Sequence, residues 1–333
     1  MNKTIKYALL SCLGILGLTS CIGDDVEVCD TYVRFVYDYN IGGADMNPPG
    51  IDLFHKQASK VDLFIFDGQG VFLQKISRTA SAATFSSDFR LGLPAGLPTD
   101  AQLVAWSGLY DEDYTVTELV AGQSTLEDLT VAVKPTSGSL SDRDIQPLWH
   151  GTQLGNKNLI QYSGDVITVS MVKNTNNIRI NLEVIDEDNN ILEEEDFAIE
   201  ITSANKAYDY GNNVISATDI LTYNPFVSEF NAETGLAAEL KLLRLMADRQ
   251  SVLKITDKSR SEVILEKDIT PYLYASRLNA YKSMPEQEYL DREDTYRITI
   301  FLVYKETGHF IASEIHINEW FLRLQNSPID PEH

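Results

Sequence analysis

Short alternations of apolar and polar residues recur along this chain with a period of two. Thr31–Asn40 is rich in aromatic and β-branched residues and alternates in this way, which predicts a strand. Gly42, Gly43 and the run Asn47-Pro48-Pro49-Gly50 then read as loop, and Asp52–Lys60 as a short helical turn. Val61–Phe66 and Val71–Ile76 are predicted as two strands of a hairpin, joined by the turn residues Asp67-Gly68-Gln69-Gly70. Ala101–Trp106 and Leu129–Val133 are further strands. Around Gln146–Gly151 the pattern loosens, and a boundary is placed near residue 160. Strand signal returns at Asp165–Val172 and Asn177–Val184, with Lys173–Asn176 as the turn between them. Phe197–Thr202, Ser251–Ile255, Glu262–Leu265, Tyr296–Tyr304 and Phe310–Ile317 complete the set. Thr270-Pro271 opens a helix, Thr270 as its cap and Pro271 in its first turn, running through Leu278.

Many short strands separated by turns, with few helices, predict antiparallel β-sandwiches. The chain has 333 residues, enough for two ordinary domains. These are placed at 31–160 and 161–333, both β-sandwiches.

The N-terminus has a different pattern. Lys3 and Lys6 precede an apolar run, Tyr7–Leu18, which ends at Thr19-Ser20-Cys21. A charged region, a short apolar region and a small residue form an export signal, here residues 1–20. The run is shorter than the roughly 20 apolar residues a spanning helix needs. Leu18–Cys21 has the form of a lipobox, in which cleavage falls between Ser20 and Cys21 and lipid is attached to Cys21. Residues 21–30 are then a lipidated tether. The acids Asp24, Asp25 and Glu27 behind the cysteine resemble a surface-export signal, which points to the outer face of an outer membrane. Removing residues 1–20 and acylating Cys21 leaves Cys29 as the only free cysteine, so no intrachain disulfide is expected.

Charge and motifs narrow the function classes. A formal net charge of −22 opposes binding to a nucleic-acid backbone. It opposes adhesion to anionic lipid by charge as well. No Gly-x-Ser-x-Gly, phosphate loop, dinucleotide fingerprint or His-Glu-x-x-His is found, so neither a catalytic residue nor a cofactor or metal is expected. His309 and His316 are an odd number of residues apart on a predicted strand and face opposite ways. Asp186–Asn190 begins like a calcium loop but has Ile191 and Phe197 where glycine and glutamate are required. Glu193–Asp196 reads as a solvated charge run. An acid-rich chain permits a glycosidase-like carboxylate pair, but nothing in the sequence brings two acids together.

Several stretches, taken in order, resemble a known family. They are Val33–Asn40, Lys60–Phe72, Leu103–Gly108, Leu148–Gly151, Val169–Val172, Leu240–Met246, Leu290–Arg292 and Trp320. Behind a lipobox, this order is similar to that of the FimB-like minor fimbrial subunits, the fimbrial anchor lipoproteins of Bacteroidetes. The resemblance implies two transthyretin-like β-sandwiches in tandem. It also implies a role at the base of a fimbrium, where strand exchange joins subunits, with the stalk subunit and outer-membrane lipid as partners. Because the tether fixes the N-terminus, Phe310–His333 is expected to form the joint with the stalk. An acceptor groove in the N-terminal domain is the alternative. Stalk proteins of the family are matured at arginine. Arg34 is expected to lie in a strand, and neither it nor Arg90 is assigned as a processing site. The competing readings are a cell-surface glycan-binding or adhesive lipoprotein, its aromatic residues forming a sugar platform, and a surface hydrolase. Phe35, Tyr37 and Tyr39 share parity with Val33, and Phe64 and Phe66 oppose Val61, which half-buried strands explain as core.

Overall fold

Strands dominate the regular structure. The computed structural model describes residues 31–42, 48–155, 159, 165–184, 197–231, 235–318 and 320–324. The strands of the first half are β1 (Thr31–Val36), β2 (Lys60–Phe66), β3 (Phe72–Thr79), β4 (Leu91–Gly92), β5 (Gln102–Ser107), β6 (Tyr114–Val116), β7 (Thr130–Val133), β8 (Leu140–Ser141) and β9 (Trp149–Gln153). There follow β10 (Asp165–Ser170), β11 (Val172–Lys173), β12 (Thr175–Val184), β13 (Phe197–Ser203), β14 (Ala207–Asp209), β15 (Leu221–Tyr223) and β16 (Val227–Asn231). The last are β17 (Gly235–Leu243), β18 (Ser251–Asp257), β19 (Glu262–Asp268), β20 (Thr295–Tyr304), β21 (Phe310–Ile317) and β22 (Trp320–Arg323). Three short helices, α1 (Phe54–Gln57), α2 (Thr270–Ala275) and α3 (Glu286–Arg292), interrupt them. The fold is all-β, in the expected class of paired transthyretin-like sandwiches.

In the first half, a sheet ordered β10-β1-β4 faces a sheet ordered β11-β9-β5-β2-β3. Burial explains the composition of β2. Val61, Leu63 and Ile65 enter a core shared with Val33, Phe35 and Tyr37. Phe64 and Phe66 point the other way, into a second core with Trp106 and Val131. A strand covered on both faces reads as a continuous apolar run. The aromatic residues of opposite parity are therefore core on two sides of one sheet. Arg34 lies in β1, as expected, with its side chain toward solvent and beside Asp52 at 3.2 Å.

The second half pairs β16-β17-β12-β20-β21-β22 in one sheet and β19-β18-β13-β15-β8 in another. Leu236, Ala238, Leu240 and Leu242 of β17 alternate into the core, with Ile178 and Ile180 of β12 and Ile298 and Ile300 of β20. Most ladders are antiparallel, but β1 with β10, β12 with β20, and β8 with β15 run parallel.

Three expectations are corrected here. β10 and β11 belong to the first half, so the pairing changes after Lys173 and not at residue 160. Lys173–Asn176 is accordingly no hairpin turn. It carries the chain between sandwiches: Lys173 pairs with Trp149, and Thr175 with Leu243. The helix after β19 also departs from expectation. Thr270 is its first residue and not its cap, and its backbone N–H donates to Asp268 Oδ1 at 3.1 Å. It ends at Ala275 and not Leu278, where Ser276 Oγ donates to the Leu273 carbonyl at 2.8 Å.

The halves are joined by more than a linker. β7 pairs with β14 and β8 with β15, so strands of the first half lie in ladders with strands of the second. The second core runs without a break from Phe64 to Ile317. Lys173 forms a buried ion pair with Asp294 and lies over the Trp149 ring, 5.6 Å from its centroid.

Candidate functional site

The sites expected at the N-terminus, Ser20 and Cys21, lie outside the described residues, as do residues 1–30 generally. Cys29, Asp186–Asn190 and Glu193–Asp196 also lie outside them. The first described strand, β1, is the middle strand of its sheet. It is in register with β10 along its whole length, Thr31 opposite Asp165 through Val36 opposite Ser170, and with β4 on its other side.

The C-terminal candidate, Phe310–His333, divides into parts. β21 is an inner strand, held by β20 on one side and β22 on the other. It is therefore built into the sheet and cannot itself be the free joint. Among the described residues β22 is the edge strand, and residues 325–333 lie outside them. The turn into β22 uses Asn318 at φ +53°, a left-handed conformation that asparagine tolerates. Its Oδ1 accepts the Arg297 backbone N–H at 3.2 Å.

Along β22, Leu322 is opposite Ile315 and Trp320 is opposite Ile317. The Trp320 ring lies 6.0 Å from that of Tyr272 in α2. The Leu324 N–H donates inward to the Ser313 carbonyl at 2.9 Å. Alternate amides of a strand point to opposite sides, so the N–H groups of Phe321 and Arg323 point to the open edge. Beside this edge, β22 and β19 border a groove of about 550 Å³ whose lining mixes Ile264, Leu265, Ile311, Leu322 and Leu324 with Glu266, Lys267 and Arg323. Among the described residues β19 is likewise the edge of its sheet, so the sandwich presents two edges with a groove of mixed polarity between them.

On the solvent face, Phe301, His316 and Phe321 form a row across β20, β21 and β22, with successive ring centroids 4.7 and 5.8 Å apart. Phe321 is 60% exposed, so this row is surface and not core. Glu314 lies between His316 at 3.1 Å and Arg323 at 3.0 Å. His309 lies in the turn before β21, where its Nδ1 meets Thr307 Oγ1 at 2.9 Å, away from His316.

Buried charge collects near the join. Arg244 makes a two-pronged contact with Asp291, at 2.7 Å on each prong. Burial works against its charge, but the bonds to Asp291 prevail and raise its pKa. Burial pushes the Glu293 carboxyl up to about 7. Burial likewise holds His150 down at about 4; its Nε2–H donates to the Tyr210 carbonyl at 2.9 Å. No sequence motif marks these residues, because their environment comes from segments distant in the chain.

Residues 26–326 match the family described as fimbrillin-A associated anchor proteins Mfa1 and Mfa2. The minor fimbrium anchoring subunit Mfa2 of Porphyromonas gingivalis is 21% identical over 295 residues, covering 83% of this chain and 85% of that protein. Among solved structures, a candidate polysaccharide-binding protein of Bacteroides thetaiotaomicron is 28% identical with a TM-score of 0.75, covering 89% of this chain and 98% of that one. The fimbrial anchor protein Mfa2 of Porphyromonas gingivalis is similar in fold, with a TM-score of 0.68 at 17% identity over 88% of this chain and 98% of that one.

Proposed function

The chain belongs to the family of fimbrillin-A associated anchor proteins, and on that premise we propose that it ties a fimbrial stalk to the outer membrane at the cell surface. Lipid on Cys21, exposed by cleavage after Ser20, provides the tether. The stalk subunit joins by strand addition at the β22 edge. The role is structural and calls for no cofactor and no nucleic acid.

The observation that carries this reading is the position of the β22 edge. An unpaired edge offers a row of backbone donors and acceptors to an incoming strand. The groove beside it offers Ile264, Leu322 and Leu324 to apolar side chains of that strand, and Glu266, Lys267 and Arg323 to polar ones. Tether and joint then lie at opposite ends of the sequence. Pull from a filament would enter at β22, cross the shared core, and leave through β1. β1 would be loaded along its length, so its ladder to β10 resists as a set of bonds and not one at a time.

Arg323→Pro tests the joint. It removes an N–H that points to the open edge and leaves the inward bond from Leu324 in place. Proline is tolerated in edge strands at such positions. The variant is expected to reach the surface, melt like the parent, and fail to retain fimbriae. Retention at the parental level would refute the β22 joint.

A further inference from the structure

A pocket of about 540 Å³ opens where the parallel strands β12 and β20 begin. That volume is within the range of small-molecule sites. The parallel register places Asn177 opposite Thr295 and Arg179 opposite Arg297. Because Ile178 and Ile298 turn into the core, the two arginines stand side by side on the solvent face. Asn318 and Phe226 border the same pocket, as does Glu293, which follows α3.

The charges in this pocket are not all satisfied. Arg179 is engaged by Glu239 at 2.5 Å and Glu229 at 3.4 Å. Arg297 is exposed, and its guanidinium has no partner among the described residues. Among the described residues Asn318 uses only its Oδ1, on the Arg297 backbone, which leaves its amide N–H groups to donate elsewhere. Tyr296 also lines the pocket; it is fully buried and its hydroxyl has no partner among the described residues. The Arg297 guanidinium, without a partner among the described residues, is open to an incoming anion. Its fork matches a carboxylate in two-pronged geometry. Neutral amides and a carboxyl beside it suit hydroxyl groups, and a phenyl ring suits the apolar face of a pyranose. Together these fit an acidic sugar better than a peptide terminus, which would leave most of the hydroxyl-binding groups unused.

We propose that this pocket binds a carboxylate-bearing saccharide, with the carboxylate on Arg297, hydroxyl groups on Asn177, Asn318 and Glu293, and the ring face against Phe226. The site is separate from the β22 groove and does not depend on the anchor role. It would give the protein a hold on acidic glycan at the cell surface in addition to its filament.

The test is titration of the full-length protein in detergent with glucuronic acid and N-acetylneuraminic acid, followed by calorimetry and saturation-transfer NMR. Glucose and N-acetylglucosamine serve as neutral controls, and a dialanine peptide as a free C-terminal carboxylate. At least one acidic sugar is expected to bind at least tenfold more tightly than the neutral sugars and the peptide. Arg297→Ala should abolish that preference at unchanged melting temperature, and Arg297→Lys should restore part of it. Phe226→Ala should weaken binding of acidic and neutral sugars alike. Equal binding of neutral sugars, preference for the peptide, no binding, or an Arg297→Ala protein that binds like the parent would each overturn the proposal. None of these results bears on fimbrial attachment.

Discussion

Two buried titratable residues set opposing trends with pH. Glu293 has a folded pKa of about 7 against an ordinary 4.5, so between those values the folded protein holds more protons than the unfolded chain. Its contribution to stability therefore falls as pH rises through that window. His150 is held at about 4 against an ordinary 6.5, so there the unfolded chain holds more protons and stability falls as pH drops. Glu293→Gln is neutral at every pH and leaves the His150 trend alone. Relative to the parent, the variant should gain stability on the order of 3 kcal/mol between pH 4.5 and 7. Urea unfolding at several pH values reads this difference; a variant that tracks the parent throughout would contradict the burial of Glu293. None of this was legible in the sequence. Glu293 is one acid in a chain of 49, and what sets it apart is burial beside Asp294 at the end of a short helix. The pocket at Arg297 is equally hidden, since it depends on a parallel register between strands more than a hundred residues apart.

At the scale of elements, long alternating segments were legible and short or atypical ones were not. β1, β2, β5, β12, β20 and β21 lie close to their predicted positions because β-branched and aromatic residues alternate there. β17 escaped, since Ala, Glu, Lys and Leu favour helix in isolation and only the sheet context overrides them. β22 is marked in the sequence only by Trp320 and its place within Phe310–His333, and α3 only by Leu290–Arg292, neither of them predicted as an element. The helix after β19 is legible from Thr270-Pro271, but the carboxylate that meets its first N–H is not. Asp268 Oδ1 accepts from both the Thr270 and the Ser251 backbone N–H groups, at 3.1 Å each, so one carboxylate starts α2 and ties it to β18. Asp268→Ala is expected to cost about 1–3 kcal/mol in urea unfolding, through two lost hydrogen bonds to a carboxylate, and Asp268→Asn to recover most of it. A neutral result for Asp268→Ala would remove this carboxylate from the explanation of α2.

For the whole molecule, the all-β class and the paired sandwiches followed from the number and spacing of strands. How the halves fit together did not. β10 sits next to β12 in sequence yet pairs in the other half, because β1 offers it a parallel partner that no local pattern reveals. The continuous core predicts mechanical and thermodynamic unity, which two beads on a linker would lack. Asp294→Ala leaves Lys173 buried without its ion partner, and breaking such a pair costs about 3–5 kcal/mol. Calorimetry should find a lower melting temperature but still one transition. Two resolved transitions would mean that the halves unfold separately and that the core does not couple them.

The anchor role makes its strongest demand on a single atom, the sulfur of Cys21. Cells carrying Cys21→Ala in place of the parent should be fractionated and fimbriae quantified on cells and in the medium. The expected result is fimbriae of normal composition, with this protein still at their base, shed into the medium. Fimbriae that stay on the cell surface in parental amounts would contradict the tether and with it the anchor.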